Sequence, residues 1–158
     1  MPLDIAAFRA SLSRFASGIT VVTTRSASGH DLGMTATAFS SLSLDPPLVL
    51  VCIDRAASIA PALEDVTHIA VHVLGADQEA ISRQFALKEG DRFAGLATTR
   101  GAGNVPLVPG ALVRLQCRIA ERHAGGDHVI IIAEVLVAEV ADGDPLLYFR
   151  GRYARLEP

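Results

Sequence analysis

The sequence lacks tryptophan, and aromatic residues make up only 5% of its 158 positions. Unpaired bases bind by stacking on aromatic side chains, so this scarcity argues against a protein that binds single-stranded nucleic acid. Basic residues are not in excess either, since 14 Lys and Arg face 17 Asp and Glu, a net charge of −3. Nucleic-acid-binding domains usually carry a basic excess. We therefore expect no nucleic-acid partner.

Cysteine is scarce, and the two residues present, Cys52 and Cys117, each lie in an apolar run. The absence of a Cys-x-x-Cys pair excludes the common structural zinc sites, and we predict no metal site. Buried, reduced thiols in a cytoplasmic protein are the expected state. No uncharged apolar run reaches about 18 residues, so we expect no membrane association. The first residues also lack the basic and apolar regions of a signal peptide.

Three motifs of nucleotide and acyl chemistry are missing too. No Gly-x-Gly-x-x-Gly follows a predicted strand, which argues against a Rossmann dinucleotide site. The phosphate loop of nucleoside triphosphatases is absent, as is the Gly-x-Ser-x-Gly turn of serine hydrolases. A nucleotide, if the protein binds one, is therefore held by another kind of site.

Hydrophobic residues, by contrast, are abundant: they make up 50% of the chain, and charged residues 20%. A chain of this length and composition suits one folded domain spanning residues 1–158 rather than two. The apolar surplus favours additional buried surface, such as the interface of an obligate dimer.

The beginning of the chain predicts a helix, because Ile5, Phe8 and Leu12 recur at helical spacing. Asp4 is placed to cap its N-terminus and Gly18 to end it. Strand patterns dominate the rest, which indicates a mainly β fold, an antiparallel barrel or sandwich with two or three peripheral helices. The unbroken apolar run 48–53 predicts a strand buried on both faces. The other predicted elements are strands at 19–24, 67–74, 111–121, 128–140 and 145–150, a helix at 77–87 and a long loop at 88–109.

A stretch of small and hydroxylated residues at 34–41 is the first candidate site. Small side chains let a backbone approach a ligand closely, and the hydroxyls of Thr35, Thr37, Ser40 and Ser41 can hydrogen-bond the edge of a flat heteroaromatic ring. The alternative is a threonine-rich edge strand that only places Phe39 in the core. Taken alone, this stretch favours the edge strand.

Two further motifs carry polar chemistry. His128 begins a strand directly after Asp127 in a glycine turn, which suits a histidine that orients or protonates a substrate. Arg150 and Tyr153 flank a Gly-Arg pair, a composition suited to binding phosphate or carboxylate. The alternatives are a solvated histidine and a charged C-terminal turn. His68 and His72 share one strand face, but no third ligand is evident, so a contact with a ligand or the core is favoured over a metal site.

Six ordered blocks, which together cover essentially the whole chain, resemble the flavin reductase family, whose members fold as FMN-binding split barrels. The blocks are residues 8–24, 33–49, 69–85, 91–95, 126–128 and 145–153. The resemblance implies a homodimer of antiparallel split β-barrels that binds FMN or FAD near the dimer interface and reduces it with NADH or NADPH. It also implies a reductase component of a two-component monooxygenase, which delivers reduced flavin to a separate oxygenase.

The resemblance assigns roles to individual residues. His128 matches the family histidine beside the nicotinamide, where we expect orientation more than proton transfer. His72 stands where many members have Asn, which bears on flavin affinity. Arg55 and Arg83 are weaker candidates for phosphate contacts. The implied flavin contacts are Met34, Thr35, Ala36, Thr37, Ala38, Ser40, Ser41, Cys52, Ile53, Asp54 and Ser58, and the implied nucleotide contacts are Arg150, Gly151 and Tyr153.

Other functions are compatible with parts of this pattern. One is a split-barrel oxidase similar to the pyridoxamine-phosphate oxidases, and another is a flavin-binding protein without catalytic activity. A third is a structural barrel that binds nothing. The Gly-Asp-His block and the ending at 150–153 favour the reductase over the oxidase.

Overall fold

The computed structural model describes residues 1–157, and strands dominate it. Two α-helices accompany them: α1 (Ile5–Leu12) and α2 (Glu79–Phe85). The strands are β1 (Ser17–Gly18), β2 (Thr20–Arg25), β3 (Asp31–Ala36), β4 (Phe39–Leu44), β5 (Pro47–Asp54), β6 (His68–Val73), β7 (Thr99–Arg100), β8 (Pro106–Leu107), β9 (Val113–Gly125), β10 (His128–Val140), β11 (Leu147–Phe149) and β12 (Arg152–Ala154).

One antiparallel sheet of seven strands forms the body of the protein, in the order β3-β2-β6-β9-β10-β5-β4. Its centre is the hairpin of β9 and β10, two 13-residue strands. The prediction of a strand at 128–140 is confirmed with these bounds. A smaller sheet joins β1, β11 and β12, and β7 pairs with β8. The prediction of a mainly β, antiparallel fold with peripheral helices is therefore confirmed.

The largest buried cluster lies on one face of the large sheet, and a second cluster, which includes Val21 and Phe85 of α2, lies on the other face. Val22, Val51, Ile69, Cys117 and Ile131 come from five different strands and pack in one buried cluster. The sheet therefore curls around a shared interior, where burial raises the pKa of the Cys117 thiol to about 12. Both cysteines are free, and Cys52 is only half-buried.

Helix α1 begins as predicted but ends early. The Asp4 carboxylate accepts a hydrogen bond from the Ala6 amide at 3.0 Å, which confirms the predicted cap. The helix ends at Ser13, so the prediction that Gly18 ends it is wrong. Gly18 instead pairs with Leu147 across β1 and β11. No residue of α1 is buried, and its apolar side chains are exposed.

The prediction that residues 48–53 are buried on both faces is wrong. Val49, Val51 and Ile53 point into the core, whereas Leu48 and Leu50 are half-buried. An antiparallel sheet covered on one side alternates between buried and exposed positions, even where both faces carry apolar residues. The outer face of β5 is thus an apolar surface.

The segment 88–109 is largely irregular, as predicted, and one of its ties to the sheet is an ion-pair cluster at the edge. Arg100 donates two hydrogen bonds to Asp31, at 2.7 and 2.9 Å, and Arg25 donates a third at 2.8 Å. These contacts hold β7 against the edge strand β3. Within residues 1–157, neither helix is long and apolar enough to cross a membrane.

Candidate functional site

The end of β3 separates two clefts. Met34 and Thr35 line one cleft, and Thr37 and Ala38 line the other, while Ala36 between them is buried in the core. Strand β3 ends at Ala36, so the residues after it leave the line of the strand and reach a second cleft. We call these the polar cleft and the apolar cleft.

The polar cleft concentrates hydrogen-bond donors. Arg92 donates to the Ser58 hydroxyl at 2.5 Å and, through Nε, to the Leu87 carbonyl at 2.8 Å. Asp54 faces the same cleft, but its carboxylate accepts from the Ala56 amide at 2.8 Å. The cleft has a volume of about 650 Å³ and is lined by Met34, Thr35, Asp54, Ala56, Ala57, Ser58, Phe85, Ala86, Leu87, Lys88 and Arg92.

The apolar cleft lies between α1 and the outer face of the large sheet. Leu12 and Phe15 come from the helix and the turn after it, and Leu50 and Cys52 come from β5. Its hydroxyl groups belong to Ser17, Thr20, Thr37 and Ser40. The volume is about 760 Å³, within the range of cavities that hold drug-sized ligands. A flat ring with an apolar face and polar edges suits such walls.

His128 lines neither cleft, but it lies beside β5, whose residues Asp54 and Cys52 line the polar and the apolar cleft respectively. It pairs with Asp54 across β10 and β5, and the next outward pair along these strands is Ile130 with Cys52. The His128 Nδ1 and the Asp127 Oδ1 lie 2.7 Å apart. This hydrogen bond lowers the pKa of the Asp127 carboxyl, and the charge of Arg9 lowers it further. The ring is 39% exposed, so its other nitrogen is accessible to a ligand.

The C-terminal motif lies outside both clefts. Arg150 and Tyr153 line a separate depression of about 530 Å³, and Gly151 lies in the turn between β11 and β12. The Arg150 amide donates to the Ser13 carbonyl at 3.0 Å, which ties this turn to the end of α1. The structure therefore brings the motif next to the helix that covers the apolar cleft.

A chain of contacts through α2 links this motif to the polar cleft. The hydroxyls of Tyr153 and Ser82 are 2.9 Å apart, and the Thr35 hydroxyl donates to the Ser82 carbonyl at 2.6 Å. Arg83 packs over the Tyr153 ring at 4.7 Å and forms an ion pair with Glu79 at 2.8 Å. Arg83 thus lines neither cleft.

His72 requires a correction. Its side chain is 0% exposed, its Nδ1 hydrogen-bonds the Val21 carbonyl at 2.9 Å, and its Nε2 accepts from the Val108 amide at 3.0 Å. Burial lowers the pKa of this imidazole to about 4, so the ring is neutral. The structure contradicts the expectation that His72 contacts the flavin, since the ring joins β6 to β2 and to the segment after β8.

The other predicted residues divide by position. Ile53, like Ala36, has its side chain in the core, so only its backbone can face a ligand. Ser41 is exposed on β4, and its carbonyl accepts from the Ser40 hydroxyl at 2.9 Å. Arg55 lies on the far side of the segment after β5, in a smaller cavity next to Arg122. Within residues 1–157, no three His, Cys, Asp or Glu side chains are close enough together to bind a metal ion.

Part of each cleft lining is not predicted by the sequence. Arg92 and Lys88 supply the cationic groups of the polar cleft, and Leu12 and Phe15 form one wall of the apolar cleft. Arg92 lies within block 91–95 of the resemblance, which is the signal that could have identified it. The contact of Arg92 with Ser58 bridges 34 positions, so the sequence pattern itself does not reveal it.

Comparison with known proteins agrees with this geometry. The model of the flavin reductase like domain matches residues 12–157. The chain belongs to this flavin reductase family.

Relatives with assigned activities support the same classification. FMN reductase (NADH) SmoA of Agrobacterium fabrum is 45% identical over 148 residues, which cover 94% of this chain and 84% of that protein. The reductase component of 4-hydroxyphenylacetate 3-monooxygenase from Thermus thermophilus is 43% identical over 151 residues, 95% of each chain. Among solved structures, NADH:FAD oxidoreductase SgcE6 of Streptomyces globisporus, in complex with NAD and FAD fragments, superposes with a TM-score of 0.93. It is 36% identical and covers 98% of this chain and 94% of that one.

Proposed function

We propose that this flavin reductase transfers a hydride from NADH to FMN or FAD and supplies the reduced flavin to a separate monooxygenase. The observation that carries this proposal is the pair of clefts on either side of residues 34–38, one cationic and one apolar. A flavin nucleotide has the same two parts, a flat ring system and an anionic phosphate. Relatives of similar length that are named as NADH-dependent flavin reductases support this function.

The polar cleft fits the phosphate end. Arg92 and Lys88 supply positive charge, and the Ser58 hydroxyl, whose oxygen accepts from Arg92, can donate its own proton to a phosphate oxygen. A guanidinium binds phosphate through paired hydrogen bonds. The Asp54 carboxylate is engaged by the Ala56 amide, which holds its charge in the turn after β5.

The apolar cleft fits the ring end. Thr37, Ala38 and Cys52 present small side chains, so the backbone can approach the edge of a ring closely. When bound, a flavin provides the hydride-accepting chemistry, and the protein provides binding, orientation and exclusion of side reactions. The turn of Arg150 and Gly151, tied to Ser13 at the end of α1, suits contacts to the nicotinamide nucleotide.

His128 is positioned to orient the nicotinamide. It pairs with Asp54 at the end of β5, a strand that lines both clefts, and its partly exposed ring can present Nε2 to the carboxamide of a nicotinamide. Orientation of the nicotinamide toward its acceptor is the contribution that this residue makes.

We further propose that the sheet forms a split barrel and that two copies pair. Strands β4 and β10 carry exposed apolar side chains, among them Leu44 at 97% and Leu136 at 45% exposure, and β5 between them presents the half-buried Leu48 and Leu50. Phe15, which lines the apolar cleft, is 84% exposed. Apolar surface of this kind supports an interface between two copies, which would put the apolar cleft beside the partner. Sedimentation should give the mass of two 16.6 kDa chains.

The direct test is NADH oxidation by dialysed protein, followed through the near-ultraviolet absorbance of NADH. We expect slow oxidation alone and faster oxidation with added FMN or FAD. His128→Ala should raise the KM for NADH and leave the flavin Kd unchanged. His30→Ala, an exposed histidine in the turn before β3, is the matched control and should behave as the parent protein.

Two outcomes would contradict the proposal. Flavin bound without any NADH turnover would favour a flavin carrier or an oxidase. Loss of flavin binding in His128→Ala would place this histidine at the flavin rather than at the nicotinamide.

A further inference from the structure

We propose that Asp127 is a positioning residue that fixes the tautomer and rotation of His128, so that Nε2 faces the nicotinamide as a hydrogen-bond acceptor. This inference rests on the proposed reductase function and assigns a role to a residue beyond the predicted site.

The hydrogen bond between the two side chains defines the tautomer. The Nδ1 of His128 and the Oδ1 of Asp127 are 2.7 Å apart. An ionised carboxylate can only accept hydrogen bonds, so the proton must lie on Nδ1. In the neutral ring Nε2 is then unprotonated. An unprotonated Nε2 accepts from the amide N–H of a carboxamide such as that of nicotinamide.

Two neighbours keep the Asp127 carboxyl ionised. The hydrogen bond from His128 and the nearby charge of Arg9, on α1, both lower its pKa. Arg55 faces the same turn: its Nε donates to the Gly126 carbonyl at 3.4 Å and its amide to the Asp127 carbonyl at 3.0 Å. Asp54, paired with His128 in the sheet, is held by the Ala56 amide. Asp127 is therefore the carboxylate that hydrogen-bonds the His128 ring, and Asp54 is not.

The turn does not need the Asp127 side chain for its own geometry. Gly126 adopts a φ of +67°, which favours glycine, and the strands close through the pair of Gly125 with His128. The Asp127 side chain is 90% exposed and packs against no core residue.

The test combines ring-nitrogen NMR with steady-state kinetics of the full-length protein. At a pH where the ring is neutral, His128 should be protonated on Nδ1, and Asp127→Asn should shift the proton toward Nε2, because an amide can donate to Nδ1. The KM for NADH should rise about three- to fivefold, the size typical of an exposed charged contact, while kcat and the flavin Kd stay unchanged.

The sign of the KM change separates this role from a general charge effect. Removing a negative charge near an anionic cofactor lowers KM if only long-range electrostatics act. Asp142→Asn removes the same charge from another exposed loop and is the matched control, expected to leave KM unchanged. In a His128→Ala background, Asp127→Asn should have no further effect.

Three results would overturn the inference: a ring of the parent protein protonated on Nε2, a lower KM in Asp127→Asn, or an equal KM change in the presence and absence of His128. The NMR result does not depend on turnover. A protein with the expected tautomer but without NADH oxidation would therefore contradict the proposed function, while the side-chain geometry would stand.

Discussion

The polar and apolar clefts share one wall, yet their chemistry differs completely. Thr35 faces a cleft with Arg92 and Lys88, while Thr37, two positions later, faces Leu12 and Phe15. Their volumes are similar, about 650 and 760 Å³. The difference comes from the opposite walls, which belong to distant parts of the chain. A ligand that fills both clefts must carry an anionic group at one end and a flat apolar group at the other.

The two clefts also differ in how their far walls are held. Arg92 bonds Leu87 and Ser58, which joins two irregular segments across the polar cleft. The α1 wall of the apolar cleft has no buried residue and is tied by the bond from Arg150 to Ser13. Side-chain hydrogen bonds therefore hold the far wall of the polar cleft, whereas the far wall of the apolar cleft is formed by exposed apolar side chains. Substitutions in the two clefts should consequently affect ligand binding in different ways.

The largest expected effect follows from filling the apolar cleft. Thr37→Phe places a ring where the flavin ring is expected, so affinity for FMN and for riboflavin should both fall at least about a hundredfold, since the ring can no longer enter. Flavin fluorescence titration measures this loss. Thr99→Phe, at an exposed threonine of β7, is the control. Unchanged riboflavin affinity in Thr37→Phe would remove this segment from the site.

A smaller and more selective effect is expected in the polar cleft. Arg92→Gln should weaken FMN binding by about ten- to a hundredfold, the range for a lost hydrogen bond to a charged group. Riboflavin lacks the phosphate, so its affinity should change little. Arg83→Gln is the control, because Arg83 is paired with Glu79 outside both clefts. An equal loss of FMN and riboflavin affinity in Arg92→Gln would contradict the division between the clefts.

The smallest effect on ligand binding is expected from a substitution of His72, which lines neither cleft and is bonded to the strand next to β3. Its pKa is about 4 in the folded protein against 6.5 when exposed, so the unfolded state binds the proton first as the pH falls. The contribution of the neutral His72 ring to the unfolding free energy is therefore fully present above pH 6.5, and it is lost as the pH falls from 6.5 to 4. From pH 7 to pH 5 the loss from this residue is about 2 kcal/mol.

Chemical denaturation of the parent protein and of His72→Gln at several pH values measures this contribution. The variant cannot take up this proton, so its unfolding free energy should fall less steeply with decreasing pH. Because the Val21 carbonyl bonded to His72 lies in the strand behind Thr35, both flavins should lose affinity by the same small factor. Parallel pH profiles of the two proteins would show that His72 does not titrate as its burial implies.

The histidines show how far the sequence could be interpreted. His72 and His128 both lie in strands, and the resemblance attached both to ligands. His72 turned out to be enclosed, with both ring nitrogens bonded to backbone groups, whereas His128 stands at an accessible strand end. Alternation along a strand predicts which residues share a face, but burial depends on what packs against that face.

The same limit applies to the cleft walls. The small residues at 34–38 and the strand 128–140 were recognisable from local composition and periodicity. The cleft wall formed by Leu12 and Phe15 could not be recognised from the sequence. The periodicity that predicted a helix also predicts that its apolar face packs against the core. In the structure this face stays exposed, and the end of α1 is joined to the C-terminal turn instead of to the core.

The sequence by itself determined the mainly β fold, the capped start of α1, the hairpin of β9 and β10 and the family of the protein, since these depend on local pattern and ordered motifs. Only the tertiary structure decided that Arg92 contacts Ser58, that His72 is buried, and that residues 34–38 at the end of β3 line two clefts. Such contacts join residues far apart in the chain, and their formation depends on the packing of the whole sheet rather than on local preference.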